Sequence, residues 1–141
     1  VLIPFRDPIE SAEWRAEVAR HVPSRTVPAL VDDGIPVWDS LAIIDHVADT
    51  NPDLAIWPRD KAARAFARSI AAEMHSGFRA LRGACPVNLG KSYAARDRGA
   101  AVAWDVERIT WIWRTARERF GAQGPFLFGA FSAADAMYAP V

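Results

Sequence analysis

Residues 27–48, VPALVDDGIPVWDSLAIIDHVA, constrain this chain more than any other stretch, because they spell out strand, tight turn, strand and helix start without interruption. Val27, Ala29 and Val31 alternate with Pro28 and Leu30 in a short β-favouring run, Asp33-Gly34 has the chemistry of a two-residue hairpin turn, and residues 35–38 make the returning strand. Asp39-Ser40 then opens a helix in which Leu41, Ile44 and Ala48 recur at helical spacing, with Ile43 and Val47 beside them. A helix start of this kind offers backbone N–H groups that the helix itself does not use, together with a hydroxyl, and so favours a small anion. Each piece also has a plainer use: an Asp or Ser ahead of a helix is a cap, and an X-Pro at a strand start is an edge or turn device. Their conjunction, with both polar ends on one side of a hairpin, is what points to a binding site.

Composition narrows the class of function. The 141 residues are 51% hydrophobic and carry 17 acidic against 17 basic side chains, so no net field favours nucleic acid, and no clustered Lys/Arg tract offers phosphates a surface. No apolar run is long enough to span a bilayer, so neither a membrane nor a nucleic acid is an expected partner. Cys85 is the single cysteine, which excludes an internal disulfide and suits a reducing, cytoplasmic location. It sits between Ala84 and Pro86 at a helix end, where the dipole opposes a thiolate, and is not expected to act as a nucleophile. His21, His46 and His75 are isolated and show no metal-ligand spacing, so no metal is expected. No phosphate loop, Ser-His-Asp order or internal repeat is present.

Around this stretch the pattern is helical. The apolar run of residues 1–5 reads as a strand, and a short helix is expected over residues 11–20, with Ile9, Trp14 and Val18 on one side and residues 21–26 as the loop before the hairpin. Asn51-Pro52-Asp53 ends the hairpin's helix, and Trp57 is the expected anchor of the connection that follows. A long helix is expected over residues 60–83, burying Ala63, Phe66, Ile70, Met74, Phe78 and Leu81. A second is expected over residues 93–120, with a seam of Val102, Val106, Ile109, Trp113, Ala116 and Phe120 against an antiparallel neighbour, leaving Trp104 and Trp111 off the seam. Ser132 and Asp135 form a variant capping box that starts a further helix, with only a weak staple between Phe131 and Ala136.

The Val-Pro, Asp-Gly and acid-Ser order resembles the glutathione-binding half of the glutathione S-transferase family, and Ser132-x-x-Asp135 resembles the motif that opens the buried helix of that family's helical domain. The resemblance implies an α/β plus all-α fold: a partial thioredoxin-like domain over residues 1–50, a linker over 51–59 and a helical domain over 60–141. It implies a cis Val27-Pro28 bond, with the Val27 backbone pairing the cysteinyl part of glutathione like an added strand, and Asp39 and Ser40 holding the γ-glutamyl end. Ser132 and Asp135 are then structural caps.

Residues 72–78, with Leu81-Arg82 and Pro86-Val87-Asn88, resemble bacterial members, some related to the zeta class. There the first helix of the helical domain lines the pocket for the electrophile, making His75, Arg79 and Arg82 candidates to touch it, against the plainer reading of surface or ion-paired side chains. Residues 1–5 match the family's second strand, so the first strand and helix, with the Tyr, Ser or Cys that favours the glutathione thiolate, would precede Val1. No residue here inherits that catalytic role. The resemblance therefore implies a protein truncated at both ends and a homodimer when intact. Its chemistry would be conjugation of glutathione, as co-substrate, to a small electrophile, or a related isomerisation or reduction, weak or absent in this piece. The alternative is a non-catalytic interaction or regulatory module whose six tryptophans cover a partner. A thioredoxin-like disulfide exchanger would need a cysteine pair that the sequence lacks.

Overall fold

Asp33 and Gly34 take φ values of 47° and 83°, the left-handed pair that a two-residue turn requires to match the twist of its strands. They join β1 (Ala29–Asp32) to β2 (Ile35–Trp38) with Ala29 opposite Trp38 and Asp32 opposite Ile35. This computed structural model describes residues 11–88, 90 and 92–141; the strand expected over residues 1–5 lies outside them, as does Ile9. The first strand starts at Ala29 rather than Val27. Before the hairpin, α1 (Ala12–His21) is capped by Ser11, whose Oγ accepts from the Trp14 N–H at 3.1 Å. His21, expected in the following loop, is the last helical residue, where its ring stands 3.3 Å from the Glu17 carboxylate one turn back. After the hairpin, α2 (Ser40–Thr50) lies against both strands, and half-buried Leu30, Val37, Ile43, Ile44 and Val47 supply the apolar surface.

The chain divides between Leu54 and Ala55 into two compact units. In the second, Trp57 is buried, as expected of an anchor, with the Arg68 guanidinium over its ring at 5.5 Å. Asp60 caps α3 (Lys61–Ser76) by accepting from the Ala63 N–H at 2.8 Å, and the helix buries Ala63, Ala67, Ile70, Ala71 and Met74.

The single helix expected over residues 60–83 is broken at Gly77-Phe78, and α4 (Arg79–Ala84) follows as a separate turn-and-a-half. Phe78 adopts the left-handed conformation at φ 56° and is buried, while a β-carbon at Gly77 would lie 2.7 Å from the Glu73 carbonyl oxygen, so the corner needs glycine there. Two polar side chains hold it. Asp105, itself buried, accepts from the Leu81 N–H at 3.0 Å, and Arg82 donates to the Met74 carbonyl at 2.9 Å. Periodicity misses the corner because Phe78 is buried and Leu81 half-buried on its far side.

The long helix α5 (Ala100–Phe120) begins seven residues later than residue 93, after Gly99 at φ 89°. Asp97 accepts from the Gly99 N–H at 2.8 Å, a local turn that competes with helix, and Arg98 donates to the Ala84 carbonyl at 2.8 Å. The buried seam also differs from the expected one. It runs through Val102, Asp105, Ile109, Ile112 and Ala116, leaving Val106 exposed and Trp113 and Phe120 half-buried. Trp104 and Trp111 are exposed, off the seam as expected. Phe66, Phe120 and Phe128 form an aromatic cluster, with Phe120 and Phe128 stacked at 5.6 Å.

At the end of the chain, α6 (Ala133–Tyr138) opens with the expected capping box. Asp135 does more than cap: Oδ2 accepts from the Ser132 N–H and Oγ–H at 2.9 Å each, and Oδ1 accepts from the Leu127 N–H at 2.9 Å. Phe131 packs edge-on against Phe126 at 5.3 Å in place of the weak staple expected with Ala136. Tyr138 donates its hydroxyl to the Ile70 carbonyl at 3.0 Å, and Glu73 and Arg108 join α3 to α5 through two bonds of 2.7 and 3.0 Å. That carboxylate raises the Arg108 guanidinium above its ordinary value.

Two stability changes follow. Asp105→Ala leaves the Leu81 N–H without its acceptor at a partly buried corner and is expected to lower unfolding stability by about 2 kcal/mol in urea titration, with Asp105→Asn costing less. Burial pushes the Tyr138 phenol well above its usual range, Glu73 adds to the shift and Arg108 opposes it, so the fold prefers the neutral form. The resulting stability is whole below the unfolded-state value of 10.0 and is lost as pH rises from there toward the folded value, since only the unfolded chain then releases the proton. Urea unfolding above that pH is expected to show a loss of up to about 1.4 kcal/mol per pH unit, a component absent from Tyr138→Phe.

Candidate functional site

The hairpin register decides which residues meet. Because Ala29 faces Trp38, the residues just before β1 and just after β2 emerge side by side at the end opposite the Asp33-Gly34 turn. Val27-Pro28 and Asp39-Ser40 occupy these positions. The Val27-Pro28 bond is cis, Val27 is exposed, and its backbone N–H and C=O lie outside the β1–β2 ladder. Asp39 holds a left-handed φ of 74°, uncommon for a residue other than glycine, and its Oδ1 accepts from the Leu41 N–H at 2.9 Å while its carbonyl accepts from Ile43. Asp39 is thus the cap of α2. Half-buried Ser40 is the first helical residue, at the positive end of the helix dipole.

A residue treated as isolated from sequence completes the frame. The His46 ring donates to Asp32 Oδ2 at 2.7 Å, joining α2 to the last residue of β1 beside the turn. The 14-residue separation hides this pair from local patterns, although Asp32 stands next to the readable turn.

The other candidates belong to the second unit. His75 is exposed in the last turn of α3, and Arg79 is exposed at the start of α4. Arg82 is engaged with the Met74 carbonyl. None of the three lines either of two cavities in that unit: one of ≈ 310 Å³ bordered by Phe120, Phe128 and Phe131, the other of ≈ 320 Å³ around Cys85, Tyr93 and Arg98. Cys85 is exposed at the end of α4. Among the described residues no group of three or more His, Cys, Asp or Glu side chains is placed to hold a metal, and no helix is long and apolar enough to cross a membrane.

Residues 2–50 match the glutathione S-transferase N-terminal domain. The likeness to that family is thus carried by the N-terminal third of the chain. It is 37% identical over 71 residues to a probable maleylacetoacetate isomerase of Caenorhabditis elegans, a stretch covering 50% of this chain and 33% of that protein. It is 38% identical over 60 residues to the maleylacetoacetate isomerase of Rattus norvegicus, covering 43% and 28%, and 34% identical over 59 residues to glutathione S-transferase D7 of Drosophila melanogaster, covering 40% and 26%. The matched stretch thus spans a third or less of these relatives. In structure the chain is similar to glutathione S-transferase 1-6 from Anopheles dirus species B, with a TM-score of 0.63 and 17% identity over 99% of this chain and 63% of that one.

The chain has the fold of a glutathione S-transferase, a thioredoxin-like N-terminal domain followed by a helical domain. The matched residues contain Val27, Pro28, Asp39 and Ser40, whereas His75, Arg79 and Arg82 lie beyond them.

Proposed function

We propose that the open end of the hairpin binds glutathione, and that the protein uses it as co-substrate to modify or isomerise a small electrophile. The observation that carries this reading is the register that sets Val27-Pro28 beside Asp39-Ser40 at the start of α2. Glutathione lies as a short added strand: the Val27 backbone pairs with its cysteinyl residue, while the Ser40 hydroxyl and the N-terminal amides of α2 take the γ-glutamyl carboxylate. Asp39, besides capping α2, faces the γ-glutamyl ammonium, which is the charge a carboxylate can hold. No catalytic residue is assigned among these. Their part is orientation, which converts an encounter between thiol and electrophile into a step between positioned groups.

In transfer, the glutathione thiolate forms a C–S bond that persists, and either a C=C π bond opens and takes up the thiol's proton or a leaving group departs with its electron pair; in isomerisation the thiolate adds to a C=C bond, the carbon skeleton rotates about the resulting single bond, and the C–S bond breaks to restore the double bond and return glutathione. The relatives named maleylacetoacetate isomerase favour the second course for this chain's substrate. Residues 1–50 form the glutathione-binding domain, 51–59 the linker and 60–141 the helical domain, where His75, Arg79 and Arg82 are the candidates to meet the electrophile. The reading carries with it a homodimer in the cytoplasm and no resident metal. The non-catalytic alternative draws on Trp104 and Trp111, 66% and 50% exposed on α5.

Calorimetric titration with glutathione up to millimolar concentration separates the two. Saturable binding is expected, weakened about tenfold in Ser40→Ala and in Asp39→Ala, as the loss of a charge-assisted hydrogen bond implies. No binding to a chain shown by circular dichroism to be folded would overturn the site and favour the interaction module.

A further inference from the structure

The ≈ 310 Å³ cavity of the second unit takes no part in the proposed function, and its lining is chemically uneven. Phe120, Phe128 and Phe131 supply aromatic walls, Arg59 and Asp60 the charged groups and Ser132 a hydroxyl, with alanines and a proline between them. The walls are already arranged. Phe120 and Phe128 are stacked with ring centres 5.6 Å apart, and Phe126, which does not line the cavity, braces Phe131 edge-on at 5.3 Å. Phe131 is nonetheless 58% exposed, so a ligand that covers its ring removes apolar surface from water. The volume lies at the small end of the range for ligand pockets and suits a single substituted ring.

The polar groups decide what that ring carries. Ser132 is engaged within the capping box, its hydroxyl donating to Asp135 at 2.9 Å, and Arg59 has an interaction of its own. Asp60 differs. Its Oδ1 accepts from the Ala63 N–H at 2.8 Å, while Oδ2 has no hydrogen-bond or ion-pair partner among the described residues and can accept a further bond. A negatively charged ligand is repelled by this carboxylate. A positively charged one is disfavoured by Arg59 and by the Arg119 guanidinium, which already lies over the Phe120 ring at 4.9 Å. The chemistry that remains is an uncharged aromatic ring bearing a hydrogen-bond donor.

We propose that this cavity binds a small phenol, its ring among Phe120, Phe128 and Phe131 and its hydroxyl donating to Asp60 Oδ2. A phenol is neutral at pH 7, and its O–H makes a charge-assisted bond to a carboxylate. Because Asp60 is exposed, the gain is that of a solvent-screened bond, and the ring contacts carry the rest. The site goes beyond the glutathione reading and does not rest on it, since none of its lining comes from the hairpin or from α2.

The test is NMR titration of the chain with 4-methylphenol and with 4-methylanisole, which keeps the ring but has no donor. Saturable binding of the phenol is expected, about fivefold tighter than that of the ether, as one screened hydrogen bond implies. Asp60→Asn keeps the cap of α3, because Asn serves equally well there, but removes the charged acceptor, and in it the preference for the phenol is expected to vanish. In Phe131→Ala both compounds are expected to bind more weakly by the same factor. Equal binding of the two compounds, a preference that survives in Asp60→Asn, or affinities unchanged in Phe131→Ala would each overturn the inference, as would a chain shown by circular dichroism to be folded that binds neither. Glutathione binding is read in its own titration, so the failure of one reading leaves the other standing.

Discussion

A two-residue turn leaves a hairpin a single register, and in this chain that constraint sets everything the N-terminal unit can do. With Asp33 and Gly34 both at positive φ, Ala29 must face Trp38, and the residues flanking the two strands are delivered to one end. A slip of one residue would turn the half-buried Leu30 and Val37 toward solvent and carry Val27 away from Ser40. The apolar packing under α2 and the polar arrangement at its start are therefore enforced by the same backbone hydrogen bonds.

The second unit depends on polar groups placed where an amphipathic pattern has only apolar ones. Asp105 occupies a seam position of α5, and Arg82, Glu73 and Arg108 knit the same corner from α3, α4 and α5. A carboxylate within a helix seam is costly unless it is paired with donors, and the Leu81 N–H supplies one. Asp135 plays the corresponding part at the start of α6, accepting from two segments at once. The starts of α4 and α6 are thus fixed by acids that also tie separate parts of the chain together.

The same distinction explains what could be read from sequence. Short-range chemistry was legible: the Asp33-Gly34 turn, the helix beginning at Ser40, the Ser132-Asp135 box and the buried Trp57 each follow from residues within a few positions of one another. The hairpin ends, and with them the four residues proposed to hold glutathione, were legible for that reason. What escaped was long-range. The break at Gly77-Phe78 depends on a carboxylate 24 residues from its partner, and His46 meets Asp32 across 14 residues. The seam of α5 was misplaced because Asp105 reads as a solvent residue until its partner on α4 is known.

The contact between His46 and Asp32 has a mechanical side. Helices are stiff along their axes, and His46 lies six residues, about 9 Å, from Ser40 along α2. Asp32 belongs to the strand whose opposite end leads back to Val27, so one bond ties the turn end of β1 to the second half of α2. The amide-bearing start of α2 is itself joined to β2 through Asp39 alone, so the helix is held to the hairpin at two points along its length. The frame of the proposed anion site thus includes a bond that lies outside the site itself.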